Sequence, residues 1–395
     1  MNNEVPKIII KNNFQKRSET YRDILTGEIL EDLIFRVTGQ RAYTAEFVDI
    51  EKNANGNEKK ATNIGRLALV YYKDTVTYVS LSEDKPDGRN SYFQSFPSAM
   101  VRYLKEANSL KKLAFYFLPN KTGNSIETEY HIMMYRLMAT IGTNFLNADF
   151  TLDNEIKKFI SVTDFINYRT NVLSRKQNNS SYVTIDEDGN SVIYGKVYGA
   201  SKKETTLITL AMRAITSTKT ILYQFVEKDL KALPALDLEI LDLMDVQVIK
   251  TDRELEKHEL FEKSENLRLP SYIANLLEKL GPKKCAFCNC DLPQLIEGAH
   301  IFPVASIKKM DINQDEKLAL ATDKDNGLWL CNNHHKMLDR GIITISENGA
   351  VLISKMLIEP SSAQFVNDSI VHTQISKELL TEPFIFFVKK RLQSA

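Results

Sequence analysis

All four cysteines of this chain, Cys285, Cys288, Cys290 and Cys331, fall in one stretch, and that stretch constrains the fold more than any other. Cys285 and Cys288 stand in a C-x2-C spacing, and Cys331 and His334 in a C-x2-H spacing. Two such pairs can close one tetrahedral zinc site. Four protein ligands leave no open position for water, so the predicted site is structural and clamps the ends of whatever lies between. Cys290 is an alternative to Cys288 as ligand. No cysteine elsewhere is available for a disulfide framework, which implies a reducing, cytoplasmic setting.

A second constellation uses the residues that the zinc leaves over. Residues 294–303 are short and apolar, suiting a strand, and residues 332–340 read as a short helix stopped by Gly341. On that helix His335 and Asp339 are four apart, so an imidazole and a carboxylate project from one face and can meet one divalent cation. Cys331 and His334 are out of phase with that face and point toward the zinc. His300, on the neighbouring strand, then faces the cation across a gap wide enough for a phosphate. Three of the six histidines of the chain gather here, beside the cysteines.

In order, the stretch reads Cys285-Ala-Phe-Cys288, Glu297-Gly-Ala-His300-Ile-Phe-Pro303, Asp325-Asn326-Gly-Leu-Trp-Leu-Cys331, then His334-His335-Lys-Met-Leu-Asp339. This order resembles the HNH, or ββα-metal, nuclease family over residues 283–354. The resemblance implies a DNA-cutting enzyme with a C-terminal ββα-metal domain and a structural zinc knuckle. It places His300 at the position of the general base and Asn326 at the central Asn that holds the loop between the strands. His335 falls at the last metal ligand and Asp339 at a frequent second ligand one turn later. A Mg2+ or Mn2+ ion would do the Lewis-acid work on the phosphate, and a neutral imidazole suits the base role. The sequence departs from the best-known pattern at Ala299, where many members carry a metal-binding Asp or His. Glu297, Asp323 and Asp325 are the candidates for the missing oxygen.

Outside this stretch the chain has room for two further domains, and the whole reads as an α+β protein. Residues 1–173 are expected to form a mixed α/β domain for DNA recognition, 182–265 an α/β domain for recognition or dimerisation, and 271–395 the nuclease with an appended hairpin and a C-terminal helix. The polar stretch 174–181 and the charged connector 262–268 mark the boundaries. Hairpins are predicted over 67–81, 182–194 and 342–354, helices over 98–105, 204–216 and 271–280, and a strand over 220–226. Lys389-Lys390-Arg391 closes an amphipathic stretch that reads as a docked helix rather than a DNA arm. No apolar run approaches the roughly 18 residues that a membrane span needs.

Charge sharpens the functional expectation. Lysine and arginine total 51, as do aspartate and glutamate, so the net charge is zero. A nonspecific DNA binder is usually basic, because phosphate attraction supplies its affinity. A neutral nuclease is therefore one that recognises something before cutting. Two glycines near a strand-to-helix junction make Lys196, Lys202 and Lys203 candidate phosphate contacts. Asp229-Leu-Lys231 matches half of another nuclease motif, a match too short to carry weight.

The expected function is a type II-like restriction endonuclease acting on double-stranded DNA as a homodimer, with a cognate DNA methyltransferase in the same system. A modification-dependent or ligand-triggered anti-phage nuclease is the alternative, followed by a zinc-containing DNA-binding protein without turnover.

Overall fold

Helices and sheets alternate through the chain, and a computed structural model describes residues 4–11, 25–48, 67–82, 93, 96–118, 129–147, 157–172, 181–197, 202–227, 229–263, 268–354 and 359–394. The polar stretch 174–180 with Arg175 and Lys176, the glycine-containing segment 198–201 and the connector residues 264–267 lie outside the described residues. The chain divides into two compact units. One comprises residues 1–181, 196–220 and 229–248, the other residues 182–195, 221–228 and 249–395.

The first unit contains β1 (Lys7–Lys11), α1 (Gly27–Thr38), β2 (Thr44–Val48), β3 (Leu67–Tyr72), β4 (Thr75–Ser82), α2 (Phe96–Lys105), β5 (Lys111–Phe117), α3 (Glu129–Thr140), β6 (Asn144–Phe145), α4 (Val162–Val172), α5 (Lys202–Ile215) and α6 (Ala235–Leu243). Its strands form one mixed sheet in the order β2-β1-β3-β4-β5-β6. The predicted hairpin over 67–81 is β3 and β4, antiparallel and joined by a turn in which Lys73 takes a left-handed φ of 51°. Ile8, Ile10, Val70, Val79, Leu81 and Tyr116 bury one face with Leu33 and Ile34 of α1. On the other face Phe115 and Phe117 pack on Tyr135 of α3, with ring centroids 6.5 and 5.3 Å apart. Covered on both faces, β5 is an apolar run rather than an alternating pattern.

A four-stranded sheet, mostly within the second unit, is built from β7 (Ser181–Ile185), β8 (Ser191–Gly195), β9 (Thr220–Phe225) and β10 (Val246–Thr251) in the order β10-β9-β8-β7. The β7–β8 turn closes with Asp186 N–H donating to the Asn190 carbonyl at 3.1 Å, and Gly189 supplies the positive φ of 78°. There follow α7 (Arg253–Glu262), α8 (Pro270–Leu280), β11 (Ile296–His300), α9 (Val304–Lys309), α10 (Gln314–Thr322), β12 (Gly327–Cys331), α11 (Asn332–Asp339), β13 (Ile343–Ile345), β14 (Val351–Ile353), α12 (Pro360–Ser369) and α13 (Glu382–Ser394). β11 and β12 pair antiparallel with Ile296 opposite Cys331 and His300 opposite Gly327, and α11 begins at the next residue. This is a ββα unit.

The single strand expected over 294–303 is shorter. It is confined to Ile296–His300. Asn326 binds the Phe302 N–H, and Pro303 has no N–H and caps α9 instead, so the ladder cannot continue. Among the described residues no helix is long and apolar enough to cross a membrane.

α8 is anchored by Glu256 of α7. The Ser271 N–H donates to Glu256 Oε1 at 2.8 Å, and the Ser271 hydroxyl bonds Oε2. A carboxylate at a helix N-terminus is favourable, but Glu256 is buried, and burial pushes its carboxyl up from 4.5 to about 7. The folded state thus holds this proton more tightly than the unfolded chain does. Stability from this group is greatest below pH 4.5 and is lost as pH rises toward 7. Relative to wild type, Glu256→Gln should gain on the order of 3 kcal/mol across that window. Denaturant unfolding followed by fluorescence of the single tryptophan, Trp329 on β12, reads the unit concerned. A difference that stays flat with pH would remove Glu256 as the titrating group.

Candidate active site and metal centre

The zinc prediction meets a closed cluster. The ligand atoms of Cys285, Cys288, Cys331 and His334 all lie within 4.8 Å of one another. His334 Nδ1 is 3.4 Å from Cys285 Sγ and 3.2 Å from Cys331 Sγ, and Cys288 Sγ is 3.9 Å from Cys331 Sγ. A tetrahedron with zinc–sulfur bonds near 2.3 Å has edges of about 3.8 Å, slightly shorter toward nitrogen. The cluster fits. Its thiolate form depends on a cation. Burial opposes a Cys285 thiolate, but the His334 ring and neighbouring backbone amides outweigh it and bring the thiol down to about 6. Burial pushes Cys288 up to about 12 and also raises Cys331. Three thiolates coexist here only with a cation between them.

Cys290, the alternative ligand, is outside the cluster and contributes its carbonyl, which accepts from Cys285 N–H at 2.9 Å. The knuckle is joined to β12 by Ala286 N–H donating to the Trp329 carbonyl at 2.8 Å.

The catalytic candidates lie on the elements this clamp holds. His300 ends β11. Its ring stacks on Tyr272 of α8 with centroids 3.9 Å apart and planes 12° from parallel, and its Nε2 is 2.9 Å from the Ala321 carbonyl. A carbonyl can only accept, so Nε2 carries the hydrogen and Nδ1 keeps the lone pair. Burial holds the imidazole well below 6.5, at about 4, with Arg268 and His335 adding to the effect. The ring is therefore neutral at physiological pH with its Nδ1 lone pair free, although burial makes it a weaker base than an exposed histidine.

Gly298 and Gly327 make room for this stack. A Cβ on Gly327 would collide with the Tyr272 hydroxyl, and one on Gly298 would lie 2.8 Å from Leu276 Cδ1 and 3.0 Å from Tyr272 Cε1.

Asn326 is fully buried and braces the turn after His300. Its Oδ1 accepts from Phe302 N–H at 2.7 Å, and its Nδ2 donates to the Phe302 and Leu320 carbonyls, each at 3.1 Å. Every side-chain polar atom is used, as a role in loop shape requires.

His335 lies between two carboxylates. Its Nδ1 is 2.8 Å from Glu297 Oε2, and its Nε2 is 3.4 Å from Asp339 Oδ2. The bond to His335, chiefly, holds the Glu297 carboxyl below its ordinary value, and Arg268 binds the same oxygen. With Nδ1–H donating to Glu297, the Nε2 lone pair confronts the Asp339 carboxylate. Two acceptors at that separation suit a shared cation or a proton.

Strand alternation explains the departure at Ala299. Glu297 and Ala299 share one face of β11 and His300 the other. Ala299 is fully buried, while Glu297, two residues earlier on its face, reaches His335. Of the other two candidate oxygens, Asp325 Oδ1 is bound by Lys279 at 2.7 Å and by Thr381 at 2.6 Å, and Asp323 caps the turn through the Asp325 N–H. Neither is among the groups at His335.

The remaining candidates belong to the first unit. Lys203 is buried, and its ammonium donates to both Asp237 oxygens at 2.6 and 2.9 Å, so it is not offered to a phosphate. This corrects the expectation for that residue. A lysine so enclosed stays charged only with such a partner. Lys196 and Lys202 are half-buried.

Sequence reading missed Arg268, Tyr272 and the Ala321 carbonyl. Tyr272 and Arg268 precede the zinc stretch, and only packing brings them to His300 and Glu297. The pair of glycines opposite Tyr272 was the available signal.

Residues 285–346 match the family described as HNH endonuclease. No curated protein matches the chain. The C-terminal unit thus carries an HNH endonuclease domain, and with it the expectation of nuclease chemistry.

Cys331→Ser should release about one zinc per chain by elemental analysis and unfold the ββα unit, because structural zinc binding in small modules is worth about 10 kcal/mol. A folded wild-type protein without zinc would refute the site. Gly327→Ala should cost roughly 1–3 kcal/mol by overpacking against Tyr272, with the loss read in the same tryptophan unfolding curve. An unchanged midpoint would show that Tyr272 is not held there.

Proposed function

We propose that this protein is a site-specific, type II-like restriction endonuclease that hydrolyses phosphodiester bonds of double-stranded DNA through the site on β11 and α11. The observation that carries the reading is a neutral His300, its tautomer set by the Ala321 carbonyl, on the same ββα unit as the Glu297-His335-Asp339 row, near enough for the His335 charge to act on it. His300 Nδ1 takes a proton from water, whose oxygen attacks phosphorus. The bond from phosphorus to the 3′ oxygen breaks, and the leaving oxygen is protonated from solvent. His335 and Asp339 would hold a divalent cation, Mg2+ or Mn2+, which supplies charge stabilisation at the phosphate and the leaving oxygen.

Glu297 has a different part. By accepting the Nδ1 hydrogen it keeps the Nε2 lone pair turned toward Asp339, as carboxylates behind metal-binding histidines commonly do. The zero net charge supports selective recognition by the rest of the chain, since it gives little indiscriminate attraction to phosphate. Cutting both strands favours a homodimer.

The test uses full-length protein with Mg2+ or Mn2+ on methylated and unmethylated DNA, the ends being mapped. Discrete ends on unmethylated DNA support the restriction reading, whereas cleavage confined to methylated DNA replaces it with modification-dependent restriction. His300→Ala should lower the rate by about 10²–10⁴-fold, the range general bases contribute, with duplex binding in a gel shift at fixed salt unchanged. Wild-type turnover by that variant would remove His300 as the base.

A further inference from the structure

Arg391 lies on α13, beyond the segment that matches the endonuclease family, and it is half-buried although it belongs to a basic run. Its Nη1 donates to the Ile301 carbonyl at 3.0 Å, and its Nη2 donates to the Leu338 carbonyl. The first acceptor is the residue that follows His300. The second lies in the last turn of α11, between His335 and Asp339. One guanidinium therefore joins the two elements that carry the base and the metal-binding pair. A planar fork with donors fixed in direction can hold two carbonyls at a set separation, and a cation at a helix C-terminus is favoured by the helix dipole. Burial works against the Arg391 charge, and nearby Asp339 favours it in part.

The peptide it grips is fixed from the other side as well. Ile301 N–H donates to the Asn326 carbonyl at 3.1 Å, so both polar groups of the residue after His300 are bound. The far end of α13 is held where Thr381 Oγ1 donates to Asp325 Oδ1 at 2.6 Å, on the same carboxylate that receives Lys279 at 2.7 Å. Lys279 also lies 5.5 Å above the Phe384 ring. The C-terminal helix is thereby attached at both ends to the loop between β11 and β12.

We infer that Arg391 is a positioning residue for hydrolysis, setting the spacing between His300 and the His335-Asp339 pair, and that α13 is an integral part of the catalytic unit. The inference rests on the nuclease reading for its kinetic consequence alone, because the brace is testable without DNA.

Full-length Arg391→Met and Arg391→Lys would be compared with wild type for zinc content, duplex binding, kcat, KM and backbone hydrogen exchange. In Arg391→Met, exchange should quicken at residues 300–302 and 336–341 and stay unchanged at the knuckle, 285–290. Zinc and duplex binding should be retained, with kcat at least tenfold lower and KM within twofold. Arg391→Lys keeps the charge at the helix end but not the two-pronged grip, so it should fold even if Arg391→Met does not and recover kcat only in part. A kcat within twofold of wild type in either variant overturns the positioning role. Unchanged exchange at both segments overturns the brace itself. If wild type cuts no DNA, the nuclease reading fails, and the exchange comparison still decides whether Arg391 couples the two elements.

Discussion

Four ligand atoms drawn within 4.8 Å of one another close the ends of the ββα unit, and the rest of the site depends on that closure. Cys285 and Cys288 precede β11, while Cys331 and His334 end β12 and begin α11. Holding these together fixes where α11 starts relative to the strands. His335 and Asp339 then follow from helix geometry, and His300 follows from the register of β11 on β12. A metal held there would do no chemistry itself, yet it would set the positions of the groups proposed to do it.

Around that frame, the polar groups of the proposed site each have a partner that limits what they can do. The Ala321 carbonyl decides which His300 nitrogen keeps its lone pair. Glu297 decides the same for His335. Asn326 spends all its hydrogen bonds on the loop and has none left for a substrate. Asp325 is neutralised by Lys279 and is thereby removed from the metal-binding candidates. In a partly desolvated site such pairing determines protonation, and protonation determines role.

The cysteine and histidine motif accounts for only part of this arrangement. Tyr272 comes from α8, Arg268 from just before it, and Arg391 and Thr381 from the C-terminal end. These residues approach from both directions in the chain and supply a stacking surface, an ion pair and two braces. Glycines at 298 and 327 are the imprint left on the strands by the tyrosine ring. The same logic governs Lys203, whose exposure could not be read from its neighbours in sequence. Its burial follows from Asp237, on another helix, being there to pair with it.

Local chemistry was enough to identify much of this protein. Ligand spacing picked out the Cys285-Cys288-Cys331-His334 cluster, helical periodicity put His335 and Asp339 on one face, and turn residues with alternating apolar runs located β3–β4, β7–β8 and β13–β14. Those features depend on residues a few positions apart, where backbone geometry alone sets distance. The end of β11 was misread because an asparagine more than twenty residues away captures the amide that would have extended it. The part played by Glu297 was open among three carboxylates until the lysine on Asp325 and the cap at Asp323 excluded two of them. Such choices belong to tertiary structure, because which acceptor a donor reaches depends on how separate elements pack, and no pattern within one element encodes that.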